Sequence, residues 1–482
     1  MPKLKINEKP YYNSDQIANS IEPDDIANIH MEAIPGEGLC VRRRPGLPVF
    51  TDLNTAAPGD GIFEWEATGL VIAVSNGRVF KVNEDGSFVD ITTHELKKRV
   101  PVIFADGSAL DGTPWLYMAN GALVHSINGA NTVQPSGEGA PIDASHVAYI
   151  NLRFIANKTL TNRWLFTDTD PATGAIEPDF WNSSDNPNTC EARGDNLLAM
   201  NDFLQEIYCW GGDSLEIWQD DGATPFSPIP QATSQAGLEA VYSVAQAANA
   251  MFALCLIDDV RCVIKLEART PQVVSEPISN VLAGYDRVDD AIGQLVSVGG
   301  MHIYLLQFPS AGKTWAYDVK NDTWIPWGTW DEVRGEQRQF LGQHTAYVRA
   351  WNKHLMMSRV DGKIFMLDRA AYEDDGLPVK SYRRTIWEDH GNGARKRADR
   401  LRIKIKAGQT LTGNAYLRWQ DDGIEEWSPY MEITLNPLGK RDFIADLSRL
   451  GMYESRRYEI SITDDADLVV VWADETLTQL RF

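Results

Sequence analysis

The stretch YLRWQDDGIEEWSPYMEITL, from Tyr416 to Leu435, holds the residue spacing that comes nearest to chemistry on sugars. It reads as a strand, an acidic turn, a Trp and a second strand. Glycan-cutting propellers carry a turn of this form, the Asp-box, in which a hydroxyl residue, an Asp, a Gly and a Trp lock a hairpin. Asp422, Gly423 and Trp427 are the candidate turn residues, with the Asp carboxylate accepting turn N–H groups and the Trp packing beneath. Gln420 replaces the hydroxyl residue, and Ile424 stands where the motif's Gly would be. Such a turn is structural even when intact. Hydrolysis needs two carboxylates at a set separation. Sialidase chemistry needs an arginine cluster with a Tyr nucleophile and its Glu, and no Arg-Ile-Pro-like segment precedes the repeats. The reading is a strand clamp, with catalysis absent.

Other chemistries lack their residues. There is no phosphate-binding G-x-x-x-x-G-K-[ST], H-E-x-x-H, G-x-S-x-G or G-x-G-x-x-G. The eight His are scattered, with none two or four residues from another. DTDPATG, from Asp168, lacks the third carboxylate and the distant Glu of a calcium loop. No metal or cofactor is expected. The five Cys, Cys40, Cys190, Cys209, Cys255 and Cys262, form no C-x-x-C and suit a reducing compartment. MPKLKINEKPYYNSD has no apolar core of a secretory signal, and no apolar run is long enough to span a membrane.

The net charge of −22 is opposite to that of a free DNA-binding protein. Against it stands one basic segment: Lys380 to Lys406 holds ten Lys or Arg and three Asp or Glu. In LRIKIKA, Leu401, Ile403 and Ile405 face one way and Arg402, Lys404 and Lys406 the other, a half-buried strand with a cationic face. That face suits a head-to-tail contact with acidic loops of another copy, closing into a ring. The expected subunit-interface residues are Arg395, Lys396, Arg397, Arg400, Arg402, Lys404 and Lys406. Arg42, Arg43 and Arg44 are a second candidate contact; the alternative is that they latch the first blade.

The elements that position these residues are β-strands. Alternating apolar runs separated by Gly or Asp turns recur from about residue 51. Gly77 and Gly121 are 44 residues apart, Gly121 and Gly212 are 91, Gly212 and Asp259 are 47, Asp259 and Gly312 are 53, and Gly312 and Gly362 are 50. The double interval has room for a unit in LRFIANKTLTNRWLFTD. This period, with several strands per unit, predicts an all-β chain with a β-propeller of six or seven blades. The expected organisation is a loop-rich N-terminal arm over residues 1–50, with a short helix within 15–34, a propeller over 51–375, and a C-terminal β-sandwich over 376–482.

Three stretches resemble one family, the tail accessory factors of short-tailed bacteriophages, also called packaged-DNA stabilisation or tail nozzle proteins. They are IANIHMEAIPGEGLCVRRRPGLPVF; the run LRFIANKTL to WQDDG, with Ser214, Glu216, Trp218 and Gly222; and LRWQDDGIEEWSPYMEITL with the closing GMYESRRYEISITDDADLVVVWADETL. The resemblance implies a structural virion protein without catalysis, forming a homo-oligomeric ring, usually a hexamer, in the tail. The ring would sit below the portal and adaptor, extend the channel, and help retain and pass packaged DNA, after assembly in host cytoplasm. Its partners would be copies of itself, the adaptor or head-to-tail connector and other tail proteins, with DNA passing along an axial channel and no membrane insertion. The competing reading is a glycan-binding or glycan-hydrolysing tail propeller, which requires a deep axial pocket with facing carboxylates near Trp.

Overall fold

The computed structural model describes residues 3–6, 8–12, 22–128, 132–137, 139–181, 188–191, 193–222, 226–247, 249–407, 412–435 and 437–480. Among these, seven successive antiparallel sheets of four main strands occupy the middle of the chain. The first runs Gly59–Trp65, Leu70–Ser75, Arg78–Val82 and Phe88–Asp90. The others begin at Ile103–Ser108, Val147–Ile150, Leu197–Phe203, Gly237–Leu238, Ile292–Val298 and Gly342–Val348. The third and fifth carry an extra short strand. Every spacing anchor lies in the turn between the second and third main strands of its sheet: Gly77, Gly121, Gly212, Asp259, Gly312 and Gly362. The third sheet turns at 158–162, inside the run assigned to the missing unit.

Each sheet shares an apolar layer with the next. Val74 and Val79 of the first sheet meet Leu116 and Met118 of the second, and Trp164 of the third meets Ile207 and Trp218 of the fourth. Ile62, Val71 and Phe80 of the first sheet pack with Leu355, Met357 and Ile364 of the seventh, so the series closes on itself. Closure is also covalently staggered. The outer strand of the seventh sheet is Val49–Asp52, from the N-terminal side, paired with Lys363–Met366. Opening the ring therefore breaks a sheet as well as an apolar contact.

The remaining strands form two sheets whose inward residues share one core. One holds Ile29–Ile34, Gly38–Arg43, Val469–Gln479, Lys396–Lys406 and Asp442–Ser448, with Met452–Tyr453 alongside. The other holds Ile26–Ala27, Ser381–Arg384, Arg456–Ile462, Asn414–Asp421 and Met431–Thr434. Leu401, Ile403 and Ile405 face Leu417, Tyr458 and Ile460 between them. Residues 26–43, expected as part of a loop-rich arm, are thus strands of the C-terminal sheets. The helix expected within 15–34 is replaced, where described, by a 3-10 turn, Pro23–Asp25, and strands; residues 15–21 lie outside the described residues. Backbone pairing decides this: Val41 and Arg42 complete an open edge beside Val470 and Val469.

Candidate interaction surface

The basic strand Lys396–Lys406 has the expected alternation, with Leu401, Ile403 and Ile405 buried. A bulge between Ala398 and Arg400 resets the phase, so Ala398 is buried as well. Its cations are met within the same chain. Arg400 makes a two-pronged pair with Asp446, and Arg402 one with Asp474 at 2.9 and 2.7 Å. Lys404 and Lys406 converge on Glu37, and Arg397 reaches Asp399 at 2.6 Å. Lys396 is buried, donating to the carbonyls of Asn392, Ala394 and Glu454 at 2.7–2.8 Å. Arg395 is exposed at the start of the strand. The local charge excess counted along the sequence is balanced by Asp446, Asp474, Glu37 and Asp442, which the fold brings from elsewhere.

The run Arg42–Arg44 lies inside the molecule. Arg42 bridges Glu32 and Asp467 at 3.0 and 2.8 Å. Arg43 donates to the carbonyls of Asp464, Ala466 and Val379, over the Tyr372 ring, and burial lowers its pKa to about 10. Arg44 is fully buried, forked onto Asp374, with Nε on Asn28 Oδ1 at 2.8 Å and Nη2 on the Gly328 carbonyl at 2.9 Å. A contact with another subunit needs exposure that Lys396, Arg43 and Arg44 lack; that expectation is corrected for these three. Arg44 ties strands 26–43 to the sixth sheet's exit at Trp327–Gly328 and to Asp374.

The acidic turn works as a clamp, through a partner the spacing did not indicate. Asp422 adopts φ +53 and Gly423 φ +72. Asp422 Oδ1 accepts the N–H groups of Glu454 and Ser455 at 2.7 and 2.9 Å, holding the neighbouring turn rather than its own hairpin. Trp427 does not pack beneath. It stands on the outer face, with the guanidinium carbons of Arg418, Arg384 and Arg457 at 4.4, 5.1 and 5.3 Å from its ring.

That face is an ordered array of polar and aromatic side chains on the outer side of the second C-terminal sheet. Register puts Arg384 opposite Glu459, Arg418 opposite Glu459, and Gln420 opposite Arg457. Glu459 Oε atoms accept from Arg418 Nε and Nη2 at 2.7 and 2.8 Å and from Arg384 Nε at 2.8 Å. Burial pushes the Glu459 carboxyl up, but the Arg418 and Arg384 hydrogen bonds and charges outweigh it and hold it below its ordinary value. Arg384 also reaches Asp25 at 3.0 Å, and Arg457 lies over Trp387 with Nε on Gln420 at 2.6 Å. Trp387 and Tyr430 remain 38% and 49% exposed. Sequence reading missed this surface. Its signal is the alternation Tyr416, Arg418, Gln420 against Arg457, Glu459, Ser461, which marks outward positions but not their pairing.

No described pocket has the form that sugar hydrolysis needs. A cleft of about 770 Å³ between the sixth and seventh sheets is lined by His302, His354, Lys353 and Asp368, with a single carboxylate and no Trp. A cleft of about 280 Å³ against the sixth sheet holds Trp315, Trp327 and Tyr285, and its carboxylates, Glu22 and Asp24, come from one turn. Among the described residues no group of three or more His, Cys, Asp or Glu could hold a metal, and no helix is long and apolar enough to cross a membrane.

Comparison with solved structures finds virginiamycin B lyase from Staphylococcus aureus, in an inactive form with quinupristin, at 12% identity over 67% of this chain and 98% of that one, TM-score 0.42. It also finds the extracellular domain of the putative one component system BT4673 from B. thetaiotaomicron, at 10% identity over 81% of this chain and 48% of that one, TM-score 0.44. The N-terminal domain of Nup159 matches at 9% identity over 70% and 97%, TM-score 0.38. No curated protein matches. A model of the phage stabilisation family, described as Bacteriophage P22 Gp10, beta-propeller, matches residues 29–372. With more than half of its 482 residues inside that match and seven four-stranded sheets closing on themselves, the chain belongs to the P22 Gp10 family of packaged-DNA stabilisation proteins, a beta-propeller family.

Proposed function

We propose that this protein is a structural component of a short-tailed phage virion, forming a homo-oligomeric ring, a hexamer, in the tail. The ring attaches below the portal and adaptor, lengthens the channel, and helps retain and then pass the packaged DNA. The observation that carries this reading is the family match over residues 29–372. In it the seven sheets are the blades of a propeller latched by Val49–Asp52, and the two C-terminal sheets with residues 26–43 form a platform sandwich. Binding in the ring is between copies of this chain and with tail neighbours; no catalytic step and no cofactor is part of it. The net charge of −22 lets DNA slide past without adhering.

The glycan reading is disfavoured by one geometric fact. The Trp that could stack on a sugar, Trp427, already lies against three guanidinium groups.

The test is the particle itself. Native mass measurement and negative-stain images of the purified full chain should show rings of six copies. A species that stays monomeric at about 100 µM, or that hydrolyses polysaccharide, would overturn the proposal.

A further inference from the structure

The surface around Trp427 has hydrogen-bonding capacity that the chain does not use. Among the described residues, Arg384 Nη2, Arg418 Nη1 and Arg457 Nη2 have no protein acceptor, although the other nitrogens of the three groups are engaged. Lys380 lies over Trp330 and Tyr382 and makes no ion pair among the described residues. At the centre of the face, three arginines therefore share two carboxylates, Glu459 and Asp25, with the Lys380 ammonium beside them. Glu425 and Glu426 stand exposed on the adjoining loop, so the patch is cationic at its middle and acidic at its rim. Arg, Trp and Tyr gathered in this way are the side chains that dominate binding energy at protein interfaces. The stacking and the Glu459 bonds fix the guanidinium planes beforehand, so little side-chain entropy remains to be lost on docking.

The chain also carries the complement. Of its seven Asp–Asp pairs, Asp258–Asp259 is the one in which neither carboxylate has a hydrogen bond or ion pair among the described residues. The pair forms the tip of the hairpin Met251–Ile257 to Val260–Leu266 in the fifth sheet, both at positive φ, +50 and +60. Val260 beside it is 59% exposed, giving the tip an apolar contact as well as two carboxylates.

We infer that the Arg–Trp face of one copy receives the Asp258–Asp259 tip of a second copy. The two surfaces differ, so the contact is head to tail and can close only as a ring. In an assembly of strongly acidic chains, this placement supplies local attraction where net charge repels. The inference rests on the self-assembly proposed above and names the faces that meet.

The experiment is a double-mutant cycle on the full chain, read by sedimentation and light scattering at low and moderate salt. Arg457→Glu tests the receiving face. Asp258→Asn with Asp259→Asn tests the tip, and Asn tolerates positive φ, so the turn is kept. Each is expected to weaken self-association about tenfold or more, with added salt weakening the wild type. The combined variant should be no weaker than the worse of the two, because both remove one contact. Circular dichroism should show the wild-type fold in every variant, and the tip variant keeps the test valid should Arg457→Glu misfold. Wild-type rings with unaffected variants, loss in only one arm, or additive losses would overturn this pairing and leave the ring reading standing. A monomeric wild type would overturn both. Single-stranded DNA binding that Arg457→Glu abolishes, with assembly unchanged, would reassign the face to nucleic acid and refute the inference.

Discussion

Two sets of arginines in this chain do opposite work with the same functional group. Arg43 and Arg44 are enclosed, and their nitrogens are taken up by Asp374, Asn28 and backbone carbonyls of distant segments. Arg384, Arg418 and Arg457 sit on an outer face, the first two locked by Glu459, the third by Gln420 and Asp25, and all three by aromatic rings; each keeps an Nη with no acceptor among the described residues. The enclosed pair staples the N-terminal strands to the sixth sheet and the C-terminal sheets. The outer trio presents a fixed row of donors. Burial together with complete pairing separates a tie from a surface.

The largest expected effect tests the enclosed side. Arg44→Ala leaves the buried Asp374 carboxylate without its cation, with the Thr329 hydroxyl at 3.0 Å as its remaining side-chain donor, which costs about 3–5 kcal/mol. Chemical denaturation should show that loss, and an unchanged midpoint would remove the staple.

Acidification probes the interior more broadly. Burial lowers the pKa of His30 and His146 to about 3 and of His344 and His354 to about 4. Groups with lowered folded values contribute stability above the unfolded pKa of about 6.5 and lose it as pH falls toward the folded value. Burial raises Asp60 and Asp202 to about 6, so these contribute stability below their unfolded value and lose it as pH rises through 6. Burial also lowers His125 and raises Asp106 and Glu388, each by less, so the four histidines against two aspartates set the sign, a net loss on acidification. Stability should fall between pH 6 and 4 by up to about 1.4 kcal/mol per pH unit for each uncompensated group. A melting temperature that rises across that interval would contradict it.

Asp422→Ala should cost about 1 kcal/mol, through two backbone N–H groups losing their acceptor, and leave the sheets intact. Thermal melts with amide exchange at Glu454 and Ser455 read this; equal protection in both proteins would mean the clamp is idle. The smallest effect belongs to the exposed basic strand. Arg400→Ala should not shift the denaturation midpoint measurably, because exposed ion pairs contribute little. A clear shift would show that this strand carries more than its own solvated pairs.

How far the sequence could be read depended on the range of the interactions. The turns at Gly77, Asp259 and Gly362 follow from local chemistry, so the repeat was visible through them. Leu401, Ile403 and Ile405 announced their face by alternation alone. The Asp422 turn was legible as a clamp, but its partners, the Glu454 and Ser455 N–H groups, lie more than thirty residues on. Charge density along 380–406 suggested a bare cationic face, because counting along the chain cannot see Asp446, Asp474 or Glu37 across the sheets.

The amino-acid order by itself fixed the strand periods, the turn positions and the absence of catalytic motifs, since each depends on residues within a few positions of one another. Tertiary structure alone decided that Val49–Asp52 closes the seventh sheet, that residues 26–43 join the C-terminal sheets, and that Glu459 gathers Arg384 and Arg418. Those outcomes hang on which open sheet edges and which charges meet in space. A sheet edge accepts any strand of suitable register, and a buried charge accepts any opposite partner, so only the packed chain settles the choice.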